Sequence, residues 1–145
     1  MFPTIKEEDF IIVDKISRIK EYQRDIIVFV PPGKDVPYVK RIILPETVTV
    51  KDNTVTICSK DDQDCSILQQ DFLPTGTITE ANCGKTSFEV TGYFVMGDNR
   101  ASTDSRCCFL YCYEHTNYIV PDSHILGKVL VRILPKLTTF DNPFK

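Results

Sequence analysis

The chain has no run approaching the roughly 18 consecutive apolar residues of a membrane-spanning helix, and no apolar export-signal core follows Met1. As given, it is expected neither to cross a membrane nor to carry a leader. A basic excess is also missing: 17 lysines and arginines face 20 aspartates and glutamates, for a formal charge of −3. That balance argues against a nucleic-acid surface. There is no internal repeat, and no segment holds helical periodicity beyond about two or three turns. The paired C-x-x-C spacing of structural zinc is absent as well.

What is present fits one folded domain. At 145 residues the chain is long enough to bury about two thirds of its unfolded surface without a staple. Its 42% apolar and 26% charged residues are the proportions of a globular chain rather than a disordered one. Six cysteines are many for this length. Outside the cytoplasm they suggest bridges, and inside it metal or redox work. Cys58 with Cys65, and Cys112 with Cys107 or Cys108, are the candidate local disulfides. A zinc site built from Cys107 or Cys108, Cys112 and His115 is the alternative, and connectivity stays open.

Most of the order predicted is short β-structure. Phe10-Ile11-Ile12-Val13, between charged flanks, predicts a short buried strand. Asp25-Ile26-Ile27-Val28-Phe29-Val30 predicts another, stopped by Pro31-Pro32-Gly33. Val36 to Leu44 predicts a third, and Thr47 to Ile57 a hairpin turning at Lys51-Asp52-Asn53-Thr54. Residues 58–87 are polar, with Pro74, Gly76 and Gly84 as punctuation, and read as a small inserted lobe or long loop. Phe88 to Met96 predicts one strand, Ile119-Val120 and Ile125 to Leu134 supply further β-like sequence, and Thr138 to Lys145 is a tail with little to pack.

Two stretches carry chemistry. Gly97-Asp98-Asn99-Arg100-Ala101-Ser102-Thr103-Asp104-Ser105-Arg106 interrupts an apolar strand with a dense polar loop, whose carboxylates, guanidinium groups and hydroxyls can bond one another and hold a hydroxyl in a fixed direction. The plainer reading is a solvated turn with surface ion pairs. In Tyr38-Val39-Lys40-Arg41-Ile42-Ile43-Leu44-Pro45 a lysine sits within an apolar run. Strand alternation puts Tyr38, Lys40 and Ile42 on one face and Val39, Arg41 and Ile43 on the other. An ammonium so withdrawn from water, with no anion beside it, loses its proton more easily than the reference value of about 10.4. The alternative is that Lys40 snorkels to solvent along the sheet.

These two stretches, together with Met1-Phe2-Pro3-Thr4-Ile5 and Asp25-Ile26-Ile27-Val28, resemble in order the four sequence boxes of the bacterial type I signal peptidases. The polar loop is the most specific of them, and the resemblance runs from Met1 to about Pro135. Departures are Arg24 in place of a box glycine, a Leu44-Pro45-Glu46 turn without glycines, and one residue, Ala101, between Arg100 and Ser102 where the family has two.

The resemblance implies a mainly β, signal-peptidase-like fold with little helix. Its catalytic core would occupy 1–57 and 88–135, with a variable lobe at 58–87 away from the centre and a tail at 136–145. It implies Lys40 as general base and Ser102 as the group orienting it. Asp98, Arg100, Asp104, Arg106 and Arg41 would scaffold the site, and Met1, Ile5, Tyr38 and Val39 would contact substrate. No metal or organic cofactor is implied. The nucleophilic serine is expected immediately before Met1, beyond this chain, which by itself is then expected to be inactive. The implied partners are signal peptides of exported preproteins, bound as an added strand, and a membrane reached through a preceding anchor, with the domain on the extracytoplasmic side. Alternatives are a non-catalytic peptide-binding relative of the same fold, the self-cleaving domain of SOS-response repressors, and a secreted disulfide-bonded module.

Overall fold

Apolar runs rich in β-branched residues become strands throughout the computed structural model, which describes residues 1–16, 25–31, 34–44, 47–51, 54–58, 65–79, 87–88, 93–101, 119–133 and 138–140. In chain order the strands are β1 (Ile11–Asp14), β2 (Ile26–Phe29), β3 (Tyr38–Leu44), β4 (Thr47–Lys51), β5 (Thr54–Cys58), β6 (Cys65–Ile67), β7 (Ser87–Phe88), β8 (Tyr93–Met96), β9 (Ile119–Val120), β10 (Ile125–Arg132) and β11 (Thr138–Thr139). Among the described residues the only helical element is a single 3-10 turn, Asp122–His124. The fold is mainly β, as expected.

A seven-stranded antiparallel sheet has the order β1-β10-β2-β3-β8-β9, with β11 added to β10. A four-stranded sheet has the order β6-β5-β4-β7. The hairpin read from Thr47 to Ile57 is β4 and β5, with Lys51 opposite Thr54 and Val50 opposite Val55. Cys58 lies opposite Cys65 across β5 and β6, and the two are joined by a disulfide. The other cysteines fall outside the described residues, so neither the second bridge nor the zinc alternative meets a structure here.

The large sheet is covered on both faces, which follows from the alternation along β2. Ile27 and Phe29 enter one cluster with Ile42, Val95 and Val120. Ile26 and Val28 enter the other with Ile5 and Val129, against which Met1, Ile11, Val39 and Phe140 also pack. Because each face has a core, the strand between them must be apolar on both sides, and the near-continuous run Ile26-Ile27-Val28-Phe29 meets that need.

Three expectations are corrected. The first strand is not buried: among the described residues β1 is an edge strand paired only with β10, and Phe10 and Ile12 are exposed. The predicted strand Phe88 to Met96 does not stay in one sheet: its described ends pair in different ones, β7 with β4 in the small sheet and β8 with β3 in the large one, and residues 89–92 lie outside the described ones. The tail is not unpacked up to residue 140, because Thr138–Thr139 pair with β10 and Phe140 adds to the core.

Candidate functional site

Lys40 lies mid-way along β3, directly opposite Ile27 of β2. It is 7% exposed, which sets aside the snorkelling alternative. On the same face Tyr38 is partly exposed and meets Phe29 edge-on, with ring centroids 6.2 Å apart. Lys40 is therefore a buried lysine on a β-strand, on the face it shares with Ile27 and Ile42.

The start of the chain comes to this lysine. The Met1 α-amine is held below its ordinary value first by burial and then by the charge of Lys40, while Asp98 acts in the opposite sense. The point just ahead of Met1 is thus within electrostatic reach of both side chains. Thr4 fixes this segment from two directions. Its hydroxyl donates to Asp98 Oδ2, and its carbonyl accepts from Arg132 Nη1 at 2.6 Å.

Asp98, 1% exposed, is the anchor of the polar loop. Arg41 grips it through both guanidinium edges, Nε to Oδ1 at 2.8 Å and Nη2 to Oδ2 at 2.7 Å. Two parallel charge-assisted bonds between a planar fork and a carboxylate fix the direction of both groups. Phe72 closes the other side of Arg41, its ring centroid 4.2 Å from the guanidinium carbon. Arg100 is 2% exposed and is held by Gly97 O at 2.9 Å, Gln70 Oε1 at 2.7 Å and Thr79 Oγ1 at 2.6 Å.

Residues 65–79 thus reach the polar loop, where Gln70 and Thr79 hold Arg100 and Phe72 covers Arg41. Gln70, Phe72 and Thr79 have no local signal for this role, because each reaches an arginine far away in sequence. Thr4 belongs to a quoted box, but nothing in its neighbourhood points to Asp98. A further ion pair joins the start of β2 to β10: Lys128 Nζ lies 3.0 Å from Asp25 Oδ2, the carboxylate buried and the lysine partly so. Burial pushes the Asp25 carboxyl up from its ordinary value, against the opposing pull of Lys128 and Arg41.

The structure thus brings Lys40, Arg41, Asp98, Arg100 and Met1 together. Ile5 and Val39 pack with Met1 in one cluster, and Tyr38 precedes them along β3. Ser102, Asp104 and Arg106 lie outside the described residues. Among the described residues, one edge of β3 has no strand beside the candidate contact residues. β8 runs beside β3 only from Arg41 onward, so no described strand lies next to Tyr38 and Val39 on that side. Backbone groups there can accept an added strand. No helix among the described residues is long and apolar enough to cross a membrane. Among the described residues, no group of three or more His, Cys, Asp or Glu side chains is disposed to hold a metal ion.

A family model described as "Signal peptidase, peptidase S26" matches residues 1–134. Among solved structures the chain is similar to a signal peptidase I from Enterococcus faecalis V583, at 28% identity over 77% of this chain and 98% of that one, with a TM-score of 0.47. No curated protein matches.

Proposed function

Since the chain belongs to the signal peptidase S26 family, whose model covers residues 1–134, we propose that it is the catalytic domain of a membrane-bound signal peptidase I. In this reading it is a serine–lysine endopeptidase that removes signal peptides from exported preproteins, on the extracytoplasmic side of the membrane. The observation that carries the reading is Lys40, 7% exposed and felt electrostatically at the Met1 amine. A lysine shielded from water is suited to take a proton from a hydroxyl, which a solvated ammonium cannot do.

The nucleophile is a serine immediately before Met1 in the longer polypeptide, preceded by the membrane anchor. Its hydroxyl proton passes to Lys40 Nζ as Oγ adds to the carbonyl carbon at the cut. Lys40 returns the proton to the departing amine as the C–N bond breaks, and the signal peptide is left as an ester on the serine. Water, deprotonated by the same amine, then releases it. Ser102 orients the lysine amine. Asp98, Arg100, Asp104, Arg106 and Arg41 hold the loop that carries Ser102. Met1, Ile5, Tyr38 and Val39 contact the residues before the cut, which pair along the β3 edge that no described strand occupies.

The test is a chain extended by a serine ahead of Met1, assayed on a peptide with an Ala-x-Ala site. It is expected to cleave after the second alanine, and Lys40→Met in the same background to lose about 100-fold or more of the rate. Equal cleavage by the two proteins would remove Lys40 from the mechanism. Peptide binding without cleavage by the extended chain would favour a non-catalytic binding relative.

A further inference from the structure

A cavity of about 430 Å³ opens beside the site, in the size range of ligand pockets. Its walls come from three separate stretches: Phe2 and Pro3, the Pro74 to Ile78 segment, and the loop around Asn99. Phe2 and Ile78 are 55% and 59% exposed, so the cavity presents apolar side chains that a ligand could cover. Asp98 and Arg100 also border it, but their hydrogen bonds hold the loop. Asn99 differs: its half-buried side-chain amide makes no hydrogen bond among the described residues, leaving a donor and an acceptor at the cavity wall.

The cavity's place relative to Lys40 selects its occupant. Tyr38 and Val39, beside which no described strand lies on the β8 side, precede the lysine on β3, whereas Arg41 follows it and grips Asp98, which borders the cavity. Phe2 and Pro3 lead away from the Met1 amine, the group that senses Lys40. An extended polypeptide laid along the Tyr38–Val39 edge and crossing at Lys40 leaves the site toward this cavity. We infer that the cavity receives the first residues of the mature protein, those just after the cut, covering Phe2 and Ile78 and bonding Asn99 through their backbone. This rests on the endopeptidase reading above and adds to it a recognition site for the part of the substrate that is kept.

Binding to the 145-residue chain itself tests the inference, because two labelled peptides separate it from its parent reading. One peptide ends at the last alanine of an Ala-x-Ala site, and the other continues several residues further. The longer is expected to bind on the order of tenfold more tightly. Ile78→Lys, at an exposed position that leaves the core intact, should abolish that advantage without altering the affinity of the shorter peptide. Asn99→Ala should reduce the advantage severalfold. If the shorter peptide binds and the longer gains nothing, or if Ile78→Lys weakens both alike, the cavity inference falls while the endopeptidase reading stands. If neither binds, both fall.

Discussion

Asp98 is the residue on which the charges of the site converge: Arg41 in two bonds, the Thr4 hydroxyl, and the electrostatic influence on the Met1 amine. The Asp98 and Arg41 side chains are 0% and 8% exposed, so removing one charge leaves the other in a poorly solvated place. Asp98→Asn is therefore expected to cost about 3–5 kcal/mol of stability, read from urea unfolding, because an uncompensated buried guanidinium is left behind. A loss under about 1 kcal/mol would show that the pair is effectively solvated. Asp25 makes a different prediction. Its carboxyl is raised above the ordinary 3.8, chiefly by burial, so the folded state holds that proton more tightly than the unfolded state. Its contribution to stability is greatest below that value and is lost as pH rises through the folded-state value. Relative to Asp25→Asn, the parent protein should lose stability as pH rises above the ordinary carboxyl value. Parallel curves for the two proteins would contradict the burial argument.

At the scale of elements, the contact between β1 and β10 is decided by a glycine. A side chain at Gly127 would run into the Asp14 carbonyl oxygen and come within 2.7 Å of Val13 Cγ1, so β1 could not keep its place. Gly127→Ala should lower stability by about 1–3 kcal/mol in thermal or urea unfolding, the cost of overpacking a close backbone approach. An unchanged midpoint would mean that β1 is loosely held. Sequence alone did not distinguish this edge strand from a buried one. Phe10-Ile11-Ile12-Val13 has the composition of either, and position in the sheet is set by β10, far along the chain. That Phe88 and Tyr93–Met96 belong to different sheets was hidden for a similar reason: their β-propensity is alike, whereas β7 and β8 take partners in different sheets. The hairpin of β4 and β5 was legible because its alternation and turn are local.

Across the whole molecule, the part of the site that could be read beforehand is the part encoded by short-range pattern. Lys40 announced itself as a charge inside an apolar strand, and Asp98 and Arg100 as members of a dense polar loop. The residues that fix them did not. Thr4, Gln70, Phe72 and Thr79 are an ordinary threonine, amide, aromatic and threonine in sequence, and acquire their roles only when the chain brings distant segments against Arg41, Asp98 and Arg100. Such contacts have no periodicity to betray them. The resulting molecule holds a buried lysine in the middle of a seven-stranded sheet, ties the start of the chain beside it through Thr4, and sets no described strand along the neighbouring edge. That arrangement makes sense if a hydroxyl stands just ahead of Met1. The most direct measurement is a crystal structure of the chain extended by that serine, read for the separation of its Oγ from Lys40 Nζ. The two atoms should lie within hydrogen-bond reach, about 2.6–3.2 Å. A separation beyond about 8 Å, or a lysine amine turned out into bulk water, would contradict the account.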